Sequence, residues 1–87
     1  MTQANDDRPT RAAVVQMVSG VDVAGNLSEA RALIRAAVDQ GAEWVVLPEN
    51  FAFLVADPGA KLAIAETAGG GPVQGWLAET AAAHGVW

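Results

Sequence analysis

Val45-Val46-Leu47-Pro48-Glu49-Asn50 is the stretch that decides the fold of this chain. Three apolar residues in succession read as a buried strand. Pro48 stops it, because proline brings no amide hydrogen to a sheet ladder, and a carboxylate follows at once. Ligand and catalytic groups in parallel α/β sheets gather at the carboxyl ends of the strands. Glu49 is therefore the first candidate functional residue.

Upstream, Gly41 is placed to serve as the left-handed residue behind a helix, and only a short turn separates it from the strand. Asn26 stands where a helix cap belongs, with Glu29 three residues later to reach back to its amide, so the pattern predicts a helix starting at Leu27. Leu27, Ala30, Leu33, Ile34, Ala37 and Val38 recur at helical spacing, while Ser28, Glu29, Arg31, Arg35 and Asp39 fall on the other side. Before this helix, residues 18–25 form a Ser-, Asp- and Gly-containing loop, and residues 12–17 form a first strand whose near-continuous apolar run suggests burial on both faces. Strand, helix, strand in this order predicts a right-handed crossover and a parallel pair, since an antiparallel pair needs only a hairpin turn. The fold class is α/β.

Downstream of Asn50 the apolar residues Phe51, Phe53, Leu54 and Val55 lose clear period and read as a loop over the site. Asp57-Pro58-Gly59 marks a turn or a short helix start, and residues 60–65 a short helical piece. Gly69-Gly70-Gly71-Pro72 breaks regular structure and opens a second long helix, with Pro72 in its first turn and Val73, Trp76, Leu77, Thr80 and Ala81 facing inward. Gly85 takes the position after that helix, and Val86-Trp87 read as the opening of a third strand. A domain rarely stops as a buried strand begins, because its neighbour's backbone groups would go unpaired. Residues 12–87 are thus expected to be a truncated domain, preceded by a polar, disordered leader over residues 1–11.

A chain of 87 residues allows one small domain at most, burying only about 60% of the surface its unfolded form exposes. The net charge of −5 has the wrong sign for a nucleic-acid binder, and no Lys/Arg cluster is present to grip phosphates. No apolar run approaches the roughly 20 residues of a membrane span, and the amino terminus lacks the hydrophobic segment of a secretion signal. A cytoplasmic location is expected. The absence of cysteine excludes a disulfide framework, a thiolate metal site and a cysteine nucleophile within these residues.

Residue patterns alone leave Glu49 open between a site carboxylate and an ordinary solvated loop residue. Phe51 and Phe53 are open between a substrate pocket and core packing. Gly69-Gly70-Gly71 lacks the spacing of a phosphate loop and reads as a flexible turn. His84, in the last turn of the second helix, suits the helix dipole and has no ligand partner, so it reads as structural. Lys61 reads as a solvated surface charge. Asn26 and Glu29 are explained as capping residues, and Trp44 and Trp76 as packing residues.

Ala13-Val14-Val15-Gln16-Met17, then Asn26-Leu27, then Gly41-Ala42 leading to Val45-Val46-Leu47-Pro48-Glu49, closing with Gly85-Val86-Trp87, resembles the amino-terminal part of the nitrilase or carbon-nitrogen hydrolase superfamily. Leu47-Pro48-Glu49-Asn50-Phe51, with Phe53 and Asp57-Pro58 behind it, looks most like the branch of deaminated glutathione amidases and related amidohydrolases. The resemblance implies an α-β-β-α sandwich of which this is the incomplete amino-terminal portion, and a Glu-Lys-Cys triad in which Glu49 matches the glutamate. The lysine and cysteine of the triad come downstream in the family, so Lys61 does not fill that place. Glu49 would then be the general base for a thiol attacking an amide carbonyl, in mostly apolar surroundings, with no metal or organic cofactor. The chain alone is expected to be inactive, the complete protein to act on a small-molecule amide and to form a homo-oligomer. Two non-enzymatic readings stand beside this one. The chain could be a piece of a flavodoxin-like binding module using the crevice beside Glu49, or a regulatory fragment that pairs with a homologue.

Overall fold

The computed structural model describes residues 9–87, in the order β1 (Ala12–Val14), α1 (Val23–Asp39), β2 (Trp44–Val46), α2 (Pro58–Ala63) and α3 (Pro72–His84). The leader read over residues 1–11 lies, for positions 1–8, outside the described residues. Arg11 is tied down at both ends: its carbonyl accepts from the Glu43 amide at 2.8 Å, and its guanidinium donates to the Gln40 carbonyl at 2.7 Å.

β1 and β2 are parallel, with Ala12 opposite Trp44, Ala13 opposite Val45 and Val14 opposite Val46. The expected strand, helix, strand crossover and the α/β class are borne out. Trp87 extends the sheet: its amide donates to the Glu43 carbonyl and its carbonyl accepts from the Val45 amide, both at 3.0 Å, which is the parallel pattern about Trp44. Since Trp44 and Val46 pair with β1, the groups of Val45 serve the opposite edge. Trp87 therefore stands where the sequence put a third strand.

Burial on both faces, expected from the apolar runs, does not hold. Ile34 of α1 and Leu77, Thr80 and Ala81 of α3 line a void of about 70 Å³ together with Val45 and Leu47, so both helices cover the same face. Two crossovers of one hand, feeding a sheet that grows in one direction from β1 through β2 to Trp87, bring both helices to one side. On the other side Val14, Trp44, Val46 and Trp87 are uncovered, at 77%, 49%, 51% and 79% exposure. The rings of Trp44 and Trp87 lie 6.0 Å apart there. The buried core is built from small and medium side chains: Val15, Ala30, Ile34, Ala37, Ala42 and Ala52.

The inward stripe predicted for the first helix is confirmed, with Ala30, Ile34 and Ala37 buried and Ser28, Glu29, Arg31, Arg35 and Asp39 exposed. Its start is corrected. α1 begins four residues before Leu27, with Asp22 as the capping position, and the Asp22 carbonyl accepts from the Asn26 amide at 2.9 Å. Asn26 is inside the helix, and the capping box with Glu29 does not form, because the Asn26 side chain is engaged elsewhere. The end is as predicted: Gly41 has φ 90°, its amide bonds the Val38 carbonyl at 2.9 Å and the Ala42 amide bonds the Ala37 carbonyl at 3.1 Å. This is a Schellman closure, and α3 repeats it through Gly85 (φ 66°) with Val86 bonding the Ala81 carbonyl at 3.1 Å.

The start of α3 is closed by a residue from outside the helix. Gly71 precedes Pro72 with φ 117°, and the Glu66 carboxylate receives the amides of Val73 at 2.7 Å and Gln74 at 3.0 Å. A Cβ on Gly71 would stand 2.4 Å from that carboxylate, so a side chain here would push Glu66 away from the two amides and also strain a backbone angle that suits glycine.

The amide of Gln74, and next that of Val73, hold the Glu66 carboxyl below its ordinary value of 4.5. The stabilisation from this cap is complete above that ordinary value and is lost as pH falls through the lowered folded-state value. Amide-exchange protection at Val73 and Gln74 is therefore expected to drop on acidification below about 4.5, and Glu66→Ala to show low protection at neutral pH already. The bare apolar face generates a second expectation: the isolated chain self-associates. Trp44→Lys combined with Val46→Thr should shift its sedimentation toward monomer with helical circular dichroism unchanged, and a wild-type chain that stays monomeric at high concentration would contradict this.

Candidate functional site

Behind β2 the chain turns sharply. The Phe51 amide bonds the Pro48 carbonyl at 3.2 Å and the Phe53 amide bonds the Asn50 carbonyl at 3.2 Å. Glu49 and Asn50 are the central residues of the first of these turns. Asn50 has φ 61°, the only positive φ outside glycine among the described residues. Asparagine is one of the few side chains that tolerate it. The turn lifts Glu49 to the surface, where its carboxylate is exposed and has no hydrogen-bond partner among the described residues. The described residues do not supply the apolar surroundings expected of a general base.

The Asn50 side chain is also held. The Lys61 ammonium of α2 donates to Asn50 Oδ1, so Lys61 is exposed, as the sequence suggested, yet bonded to the neighbour of Glu49. α2 itself starts where Asp57 accepts the Gly59 amide at 2.9 Å, with Pro58 at its first position.

On its far side the turn is sewn to the loop that leaves β1. Ser19 Oγ donates to the Phe51 carbonyl at 2.7 Å, and the Leu54 amide bonds the Gly20 carbonyl at 3.0 Å. Asn26, buried to 6% exposure, joins both loops: Oδ1 accepts the Gly20 amide at 3.0 Å, and Nδ2 donates to the carbonyls of Gly20 and Ala52, each at 2.8 Å. The sequence reading missed this residue's part, assigning it to a cap. The available signal was a polar residue on the same helical stripe as Ala30 and Ile34.

Phe51 is half-buried and packs on Trp76 of α3, ring centroids 6.1 Å apart, with the Arg31 guanidinium 5.9 Å from the centre of the same indole. Phe53 is half-buried in the loop behind the turn. Two hollows of about 560 Å³ lie elsewhere, one along β1 and the end of α1, the other between residues 63–73 and Val23, and Glu49, Phe51 and Phe53 line neither. No group of three or more His, Cys, Asp and Glu side chains suited to a metal is found among the described residues. Among the described residues, the site offers an exposed carboxylate without a hydrogen-bond partner, on a firmly held turn and with no nucleophile beside it.

No helix among the described residues is long and apolar enough to cross a membrane. No solved structure matches the chain. Two curated proteins of Synechocystis, one in strain PCC 6803 / GT-S and one in strain ATCC 27184 / PCC 6803 / Kazusa, both called deaminated glutathione amidase, are 57% identical to it over 47 residues. That stretch is 54% of this chain and 17% of each relative, so the chain spans a minor part of their length. The description of the carbon-nitrogen hydrolase family matches residues 11–87, from the residue before β1 through Trp87. The parallel β1–α1–β2 unit with a carboxylate at the end of β2 accordingly belongs to a member of the carbon-nitrogen hydrolase family.

Proposed function

We propose that this chain is the amino-terminal part of a hydrolase of amidase type, acting on non-peptide carbon–nitrogen bonds, and that Glu49 is its general base. The observation that carries the reading is the position of Glu49: an exposed carboxylate, without a partner among the described residues, just past the carboxyl end of a parallel strand, on a turn fixed from both sides. Ligand-binding groups of α/β sheets collect there.

In this reading the full-length protein brings a cysteine and a lysine to Glu49. The chain itself contains no cysteine, and Lys61 is committed to Asn50. Glu49 takes the thiol proton as sulfur attacks the amide carbonyl, and the lysine stabilises the oxyanion. The carbon–nitrogen bond breaks, the nitrogen leaves with the proton that Glu49 returns, and an acyl thioester remains. Water, deprotonated by the same carboxylate, hydrolyses it. Further residues of the complete protein would cover Glu49 and give it the low-polarity surroundings it lacks here. Phe51 and Phe53 face the acyl portion of a small-molecule amide. No cofactor and no nucleic acid enter the reaction. The reading brings with it an α-β-β-α sandwich, a cytoplasmic location and a homo-oligomeric complete protein. The relatives' name makes deaminated glutathione the first substrate to try.

Glu49→Gln in the full-length protein is expected to lower kcat on such an amide by about 10²- to 10⁴-fold, the usual contribution of a general base. Turnover within a few-fold of wild type would reject Glu49 as the base. The 87-residue chain alone is expected to show no steady turnover, and measurable hydrolysis by the purified chain would remove the need for a cysteine supplied from elsewhere.

A further inference from the structure

We infer that Asn26 is a positioning residue for this reaction, setting the place of the Glu49 turn relative to the loop behind β1. The inference rests on the reading of Glu49 as general base. An asparagine inside a helix is locally unfavourable, because its side chain competes with the helix for backbone groups. This one turns that competition outward. It makes no cap within α1 and spends three of its four hydrogen-bonding sites on main-chain atoms of two loops, at 2.8 to 3.0 Å. Aspartate has the shape but lacks the two donated bonds, alanine and serine are too short to span the gap, and leucine would leave the Gly20 amide and the Gly20 and Ala52 carbonyls with one partner fewer.

The geometry between Asn26 and Glu49 is short and stiff. Ala52 is itself buried, at 9% exposure, and only Asn50 and Phe51 separate it from Glu49. Those residues are locked by the turn bonds from Phe51 to Pro48 and from Phe53 to Asn50. Ser19 fixes the Phe51 carbonyl from the same side. A loop held this way cannot slide along β1 without breaking several buried or half-buried bonds together. A displacement of about 1 Å in a catalytic group can cost on the order of 10²-fold in rate. Asn26 touches no reacting atom, and its effect passes through Glu49.

The test compares Asn26→Asp and Asn26→Ala with wild type in the full-length protein. Steady-state kinetics are measured alongside hydrogen exchange by mass spectrometry. Asn26→Asp keeps the acceptor for Gly20 and places a carboxylate against two carbonyls. Both variants are expected to lose about 10- to 100-fold in kcat, with KM changed by less than about 3-fold. Exchange should rise over residues 19–21 and 50–54 and stay at the wild-type level in the body of α1. Loss of activity in step with a uniform rise in exchange over α1, β1 and β2 would make Asn26 a residue of general stability and overturn the inference. So would a kcat equal to wild type. If neither variant folds, Ser19→Ala, which deletes one bond of the same network, decides: a smaller fall in kcat with exchange raised only in the two loops supports the inference, and unchanged kcat overturns it. Glu49→Gln separates the two claims. An active Glu49→Gln protein ends the reading of Glu49, whereas an inactive one beside a fully active Asn26→Asp protein ends only the inference about Asn26.

Discussion

Parallel pairing of two strands three residues long governs this structure. Such a pair has too few bonds to persist by itself, and its strands cannot be joined by a tight turn. A helix must carry the chain back, and that helix must bury its apolar stripe on the sheet to stay in place. α1 does so through Ala30, Ile34 and Ala37. Parallel strands also have their carboxyl ends side by side. The loops leaving β1 and β2 therefore emerge together, and the first turn of α1, which must start near the end of β1, lies against both. The junction that Asn26 occupies is thus a product of topology, and what the sequence adds is a side chain able to satisfy it.

The same rule that joins the strands makes the sheet one-sided. With the growing edge always on the same side and each crossover of the same hand, α1 and α3 meet one another over Val45. The outer face receives nothing from the described residues. Its tryptophans and valines are the residues of an interior, in a sheet that has one face in water.

Much of this was readable from residue order. Gly41 and Gly85 signalled left-handed closures because few other residues accept those angles cheaply, and the structure has both. The helical stripe of α1 follows from a 3.6-residue period, which depends on local geometry alone. Pro48 marked the end of β2 for a similarly local reason. What failed depended on distance in sequence. Apolar runs look alike whether a strand is covered on one face or two, so Val14 and Val46 could not announce their exposure. Asn26 with Glu29 matched a local capping pattern, while the true partners of Asn26, Gly20 and Ala52, lie on loops whose approach is visible only once the strands are paired. The bond of Lys61 to Asn50 and the cap that Glu66 supplies to α3 were missed for the same reason. For the site, the carboxylate at the strand end was legible, and the bonds that hold its turn were not.

The arrangement of the three tryptophans gives the molecule a built-in optical record of its own state. Trp76 is enclosed between Phe51 and Arg31, and its indole reports the packing of α3 beneath the Glu49 turn. Trp44 and Trp87 are neighbours on the open face, where water relaxes around the excited indole and moves its emission to long wavelength. Anything that covers the face must dry these two rings together, and their emission then moves to shorter wavelength while that of Trp76 stays. Closure of the sheet and disturbance of the site can therefore be told apart by colour, in one sample and without a label.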